Sequence, residues 1–246
     1  MFLSSLSRWN SFFRSLFNGK LSLFFPLPTS SFIDFSDKVP GTRSHFDFNK
    51  KNQNLHIIAG SRGFSSKILA VPEQMHSTEI TRIDSPGNYM AVDGLITDNP
   101  AIILTLQVAD CVPVYLSSSH IIGLVHSGWR GTAGDIVSNS IRKMLEMGAN
   151  RKEVSIFLGP AVGICCYEVD REVANNFNKN AKKRLENGKW KIGLHEEICL
   201  QLTKMGIPSF NIQTSDLCTY ESPNCHSFRR DGTLAGRMFA FMRLKQ

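Results

Sequence analysis

A single domain of α+β class is the architecture this 246-residue sequence predicts. Three observations point there. Apolar runs of strand length recur from residue 68 onward, segments with helical spacing lie among them, and neither an internal repeat nor a Pro- or Gly-rich linker divides the chain. Hydrophobic residues make up 42% and charged residues 20%, which suits a globular chain long enough to bury a core.

Residues 1–33 form a basic, Ser/Phe-rich extension: Arg8, Arg14 and Lys20 precede the first acid, Asp34. Its composition is transit-like, but polar residues interrupt every apolar run, so it reads as a poorly ordered extension and not as a secretory signal. No stretch reaches the roughly 18–20 apolar residues of a membrane span. Residues 34–246 are the expected folded domain, with residues 34–66 polar and weakly periodic.

From residue 68 the elements sharpen. Strands are expected at 68–71, 101–108, 112–116 and 121–126, the last two joined by a serine-rich turn. Residues 132–147 place Ile136, Val137, Ile141, Met144 and Leu145 at helical spacing, and Gly148 is a natural stop. A strand over 154–158 breaks at Gly159-Pro160. Helices are expected over 170–186 and 193–205, and late strands over 210–213 and 238–244.

The net charge of +7 is moderate, and no Lys/Arg block with interleaved aromatics tracks a groove. Neither nucleic acid nor membrane is therefore an expected partner, whereas small acidic molecules fit. The six cysteines show no secretory framework, so reduced thiols in a cytoplasmic protein are expected, most of them packing as small hydrophobes. Nothing in the pattern specifies an oligomeric state.

Three soft ligands stand at strand ends or in turns: His76, Cys111 and His126, separated by 35 and 15 residues. That spacing is too wide for a zinc finger. Two imidazoles and one thiolate leave the fourth tetrahedral position of zinc open, as catalytic sites require. The same atoms admit another use, with Cys111 as a nucleophile activated by His126 and no metal. Satisfied structural histidines are the plain alternative. The loop Gly128-Trp129-Arg130-Gly131-Thr132-Ala133-Gly134 leads into a helical pattern, so Arg130 and nearby N–H groups form a candidate anion cradle. Arg229-Arg230-Asp231-Gly232 with Gly236-Arg237 is a second candidate. No Gly-x-Gly-x-x-Gly or Walker loop is present, and His76-Ser77-Thr78-Glu79 departs from the H-x-E deaminase signature. Seven scattered histidines without a His-x-His pair argue against multicopper chemistry.

Taken in order, seven pieces resemble one family. They are Gln74-Met75-His76-Ser77, Val92-Asp93-Gly94-Leu95-Ile96-Thr97-Asp98, Ala109-Asp110-Cys111-Val112-Pro113-Val114, Val125-His126-Ser127-Gly128-Trp129-Arg130-Gly131-Thr132, Leu158-Gly159-Pro160-Ala161-Val162-Gly163, Cys166-Tyr167-Glu168-Val169 and Ser227-Phe228-Arg229-Arg230-Asp231. Spread over residues 68–244, they are similar to the zinc-dependent purine nucleoside phosphorylase/adenosine deaminase family, earlier labelled multicopper polyphenol oxidoreductase or laccase domain.

The resemblance implies that His76, Cys111 and His126 bind zinc. It implies phosphorolysis of adenosine, inosine, guanosine and 5′-methylthioadenosine, and hydrolytic deamination of adenosine, so that purine nucleosides and phosphate are the expected partners. It implies a mixed β-sandwich core flanked by helices, in α/β/β/α layers. Cys111, His126, Asp93 and Asp110 become the candidate catalytic residues, and Arg130, Arg230 and Arg62 the substrate or phosphate ligands. Arg62 enters because the family's N-terminal Thr-Arg-Gly-Gly-like segment and its phosphate-holding Asn-Arg element have only two echoes here, Thr42-Arg43 and Ser61-Arg62-Gly63. The fold is shared with toxin deamidases using a Cys–His dyad, and some bacterial relatives are linked to peptidoglycan editing. The competing expectations are therefore a metal-free Cys–His amidase acting on peptidoglycan precursors and a nucleoside-binding protein that has lost phosphorolysis.

Overall fold

Side chains alternate across a β-strand, and here that alternation builds two sheets sharing one interior. The computed structural model describes residues 14–17, 20–23, 31–36 and 48–245. Its strands, in chain order, are β1 (Arg14–Phe17), β2 (Lys20–Leu23), β3 (Ser31–Phe35), β4 (Leu69–Pro72), β5 (Ile80–Arg82), β6 (Gly87–Tyr89), β7 (Gly94–Thr97), β8 (Ile103–Val108), β9 (Val112–Ser117), β10 (Ile122–Ser127), β11 (Ser155–Leu158), β12 (Glu168–Val169), β13 (Lys182–Arg184), β14 (Trp190–Ile192), β15 (Ile212–Thr214) and β16 (Met238–Leu244). The helices are α1 (Phe48–Ser61), α2 (Trp129–Ala133), α3 (Ile136–Glu146), α4 (Arg171–Ala174), α5 (Leu194–Lys204) and α6 (Phe228–Asp231).

One mixed sheet has the order β3-β16-β8-β4-β6 and the other β15-β11-β9-β10-β7-β5. Along β16, Met238, Ala240 and Met242 face the second sheet, while Phe239 and Phe241 face the opposite way, toward Leu55, Ile58 and Ala59 of α1. In the second sheet Tyr115, Leu124 and Phe157 point into the sandwich. Val114, Leu116, Val125, Ile156 and Leu158 point outward, under α3 and α5. The layers are thus α/β/β/α, as the resemblance implied. The Tyr115 and Phe157 rings lie 5.8 Å apart at the interface, and the Tyr115 hydroxyl donates to the Asp34 carbonyl across it at 3.2 Å.

Several boundaries differ from the sequence expectations, each for a local reason. The helix expected over 132–147 divides into α2 and α3, because Asp135 takes a left-handed φ of 60° that a right-handed helix cannot accommodate. The helix expected over 170–186 stops at Ala174. There Asn178 accepts the N–H of Asn180 with its own side chain, competing with helical bonding. β13 then pairs with β14 around a turn containing Asn187-Gly188, with Gly188 at φ 83°. The region 34–66 holds α1, whose apolar face is only the short set Leu55, Ile58 and Ala59. Part of the 1–33 extension is strand: β1 pairs with β2, and β3 pairs with β16 and buries Ile33 and Phe35. The sandwich therefore begins before residue 34. Thr42-Arg43 and the remainder of that extension lie outside the described residues.

The topology brings the important connections to one end of the sandwich. β4 and β8 run parallel in one sheet, and after each the chain crosses to the other sheet, through 73–79 and 109–111 respectively. β10 ends beside the start of β9, with His126 opposite Pro113. The Gln74 side chain clamps the two crossings, donating to the Gln107 carbonyl at 2.8 Å and accepting from the Gln107 N–H at 2.9 Å. Phe157→Ala, which empties the centre of the sheet interface, is expected to cost about 3–5 kcal/mol in urea unfolding; a cost under about 1 kcal/mol would contradict this packing.

Candidate metal centre and cavity

Asp93, just before β7, is fully buried and organises the site. Its carboxylate accepts the N–H groups of Met75 at 3.1 Å, His76 at 3.0 Å and Ser77 at 2.7 Å, and the Ser77 hydroxyl at 2.7 Å. It also accepts Nδ1–H of His126 at 2.7 Å. Burial alone would raise the Asp93 pKa, but the His126 and Ser77 hydrogen bonds and the His126 charge bring it down to about 2. This carboxylate does two things. It holds His76 in a left-handed turn (φ 59°), a conformation uncommon for a non-glycine residue, and it leaves Nε2 of His126 to face Cys111.

His76, Cys111 and His126 offer donor atoms that all lie within 4.8 Å of one another, and the two imidazoles meet edge to face at 4.8 Å between centroids. Burial disfavours a charged thiol, yet the facing imidazoles of His126 and His76 pull Cys111 down to about 6. Burial equally disfavours a charged imidazole, and Cys111 and Asp93 outweigh it to lift His126 to about 9. The thiolate is the metal-binding form. The donor set therefore fits a metal ion: two imidazoles, one acidified thiol, and a carboxylate orienting one ring through its far nitrogen, as metal-ligating histidines are usually held.

Gly128 shows how closely this centre is packed. A Cβ there would lie 2.9 Å from Cys111 Sγ and 3.2 Å from His76 Cδ2. Gly131 and Gly134 likewise sit against the Ser77 carbonyl and the Thr78 methyl. The glycines of this loop thus admit close packing against the ligand loop, and the sequence from Trp129 coils into a five-residue helix. Room for that packing is what these glycines supply here, and Arg130 is the member of the expected anion cradle that reaches the cavity. Arg130 stacks on Trp129 at 4.5 Å, and both line the cavity.

That cavity, about 770 Å³, opens over the three donor atoms. Asp110 lines it with φ 84°, its oxygens accepting the Thr219 hydroxyl at 2.6 Å and the Arg229 N–H at 2.6 Å. Tyr167, Phe228, Arg229 and Arg237 also line it. The Arg229 guanidinium lies over the Tyr167 ring at 5.0 Å. Burial first, and then the neighbouring Cys111 charge, raise Tyr167 to about 12, so it is a neutral donor at physiological pH.

Two of the expected substrate residues lie away from the cavity lining. Arg230 is not among the lining residues. It donates to the carbonyls of Thr219, Tyr220, Ser222 and Cys225 and pairs with Asp231, closing the loop that precedes α6. Both arginines lie on the four-residue α6, and it is Arg229 that lines the cavity. Arg62 is also outside the cavity: it pairs with Asp34 and lies over the Phe241 ring, joining α1 to β3 and β16. Gln74, Tyr167 and Phe228 received no role from the sequence, although all three lie within the motifs that carried the resemblance.

Asp93→Asn is expected to weaken metal binding about 10–100-fold in a chelator competition titration, because the orienting charge is lost while every direct ligand remains; unchanged affinity would contradict its role. Arg62→Ala is expected to cost about 3–5 kcal/mol of stability by breaking a buried pair while leaving KM values untouched; a raised KM for phosphate without loss of stability would restore it to the substrate site.

Comparison with known proteins agrees with this geometry. The pattern of the multi-copper polyphenol oxidoreductase laccase family matches residues 41–245. The purine nucleoside phosphorylase YlmD of Geobacillus stearothermophilus is 32% identical over 240 residues, covering 82% of this chain and 86% of that protein. A purine nucleoside phosphorylase of Clostridium acetobutylicum is 31% identical over 232 residues, covering 86% and 95%. Among solved structures, the hypothetical protein YfiH of Bacillus licheniformis superposes with a TM-score of 0.80 at 27% identity, covering 87% of this chain and 93% of that one. With the family pattern covering residues 41–245, and His76, Cys111 and His126 among them, the chain belongs to the multi-copper polyphenol oxidoreductase laccase family.

Proposed function

We propose that the protein is a zinc-dependent purine nucleoside phosphorylase, acting on adenosine, inosine, guanosine and 5′-methylthioadenosine, with a hydrolytic adenosine deaminase activity. The observation that carries this reading is one cavity in which His76, Cys111 and His126 converge beneath an aromatic wall and three arginines. Relatives named purine nucleoside phosphorylase, similar over most of the chain, support it. Two imidazoles and a thiolate suit zinc, which supplies a Lewis acid at an open coordination position.

The chain's own residues do the rest. About 770 Å³ accommodates a nucleoside and phosphate together. Phe228, half exposed at the rim, and Tyr167 offer faces on which a purine stacks. Arg229, Arg237 and Arg130 bring positive charge to phosphate, which attacks the anomeric carbon as the bond to the purine nitrogen breaks, giving ribose 1-phosphate and free base. Asp110, fixed by Thr219 and the Arg229 N–H, is placed to accept or return a proton in the cavity. In deamination, water replaces the amino group of adenosine and ammonia leaves. Asp93 acts at one remove, holding His76 and His126.

A second reading rests on the acidified Cys111 beside His126: a metal-free Cys–His amidase. Incubation of purified protein with adenosine, with and without phosphate, separates the readings. Adenine and ribose 1-phosphate formed only with phosphate are expected, with inosine arising in both. Arg229→Ala is expected to raise the KM for phosphate about 10–100-fold, the loss of one charged hydrogen bond. No product from any of the four nucleosides, in protein holding metal, would overturn the proposal.

A further inference from the structure

Cys165, Cys166, Cys218 and Glu221 place three sulfurs and a carboxylate oxygen within 4.8 Å of one another. They occupy two loops beside the 161–163 segment, whose Val162 N–H donates to the Asp110 carbonyl at 3.0 Å. In the first loop the N–H groups of Cys166 and Tyr167 both bond to the Gly163 carbonyl at 3.0 Å, closing a turn that brings the adjacent cysteines together. In the second, the Ser222 N–H bonds to the Cys218 carbonyl at 3.0 Å, winding one helical turn that sets Cys218 and Glu221 on the same side. A bridge between Ala161 and Cys218 joins the loops.

Core packing does not account for this cluster. Cys165 is exposed and Cys166 and Cys218 are half-buried, whereas Cys225 is buried as a packing cysteine should be. We propose that these four side chains form a second metal site, a closed three-thiolate and one-carboxylate set for a structural zinc ion. Zinc–sulfur bonds of about 2.3 Å in a tetrahedron put neighbouring donors about 3.8 Å apart, so only a small contraction of the present cluster is needed. Gly163 leaves the room: a Cβ there would lie 3.0 Å from Cys165 Sγ and 3.6 Å from Cys218 Sγ. Its N–H donates to Cys218 Sγ at 3.3 Å, and Cys166 Sγ–H meets Glu221 at 3.4 Å, contacts of the kind that steady metal ligands. A disulfide between any two of the cysteines would leave the third thiol and Glu221 without a purpose, while one tetrahedral ion uses all four.

The site also has a consequence for the cavity. Cys218 precedes Thr219, which holds Asp110, and Cys166 precedes Tyr167, which stacks with Arg229. An ion joining the loops would fix both cavity residues from behind.

The test is metal content of the full-length protein, loaded with zinc, freed of excess by gel filtration and analysed by plasma mass spectrometry. About two zinc ions per chain are expected, falling to about one in His76→Ala and to about one in the Cys165→Ser/Cys218→Ser double variant, as each independent set is broken. Cobalt substitution gives a second readout. Thiolate-to-cobalt charge-transfer absorption should be largely retained in His76→Ala, where three thiolates remain, and largely lost in the double variant, where Cys111 and Cys166 remain. Should the double variant fail to fold, Glu221→Gln serves, with faster zinc loss to chelator from this site alone. One zinc per chain in wild type with no loss in the Cys165→Ser/Cys218→Ser variant would overturn the proposal. So would a Cys165–Cys218 disulfide in peptides mapped from freshly purified protein. Because His76→Ala reads the other centre, failure here is distinguishable from failure of the proposed function.

Discussion

The Asp93 carboxylate is the constraint on which the remaining structure depends. An ionised carboxylate with no exposed surface is tolerated only when its oxygens are well supplied with donors, and five groups meet that requirement here. Four of the five come from the 75–77 crossing and one from the end of β10, so satisfying the charge is the same act as assembling the ligand set. The His126 N–H also donates to the Asp93 carbonyl at 2.7 Å, which ties the backbones together as well as the side chains. A low pKa keeps this anchor charged throughout the physiological range.

The sandwich explains why the three candidate donors come from such distant points in the sequence. His76 and Cys111 each lie on a crossing between sheets, and His126 lies at the end of the strand that pairs with β9. Crossings leave the same end of a sheet when their strands are parallel, and β4 and β8 are. The 35-residue separation is the chain needed to run from one crossing through β5–β8 to the next, and the 15-residue separation is the length of the β9–β10 hairpin.

The legibility of the fold and site follows from this physics. Strands with continuous apolar runs, such as β9, β10 and β16, were readable because both faces of each are buried, one in the sandwich and one beneath helices. α1 was not readable, since three inward residues among polar neighbours carry too little periodicity. Asn187-Gly188 is a turn signal that the helix expected over 170–186 stops just short of, and in the fold it closes the β13–β14 pair. Within the site, the three candidate donors carried a motif-level signal, whereas which of Arg229 and Arg230 lines the cavity depends on which way a one-turn helix faces. That choice rests on carbonyl groups at 219–225 that only the folded loop collects around Arg230. The close packing of Gly128 against the Cys111 sulfur was not legible, because sequence does not separate a glycine that approaches a ligand from one that makes room for a sulfur.

Crystals of zinc-loaded protein, measured at the zinc absorption edge, test the central claim most directly. An anomalous peak is expected about 2.3 Å from Cys111 Sγ and about 2.0–2.1 Å from one nitrogen of each of His76 and His126. For His126 that nitrogen is Nε2, with Nδ1 still bonded to Asp93. No peak among these three residues, or a peak bound through His126 Nδ1 with Asp93 released, would contradict it.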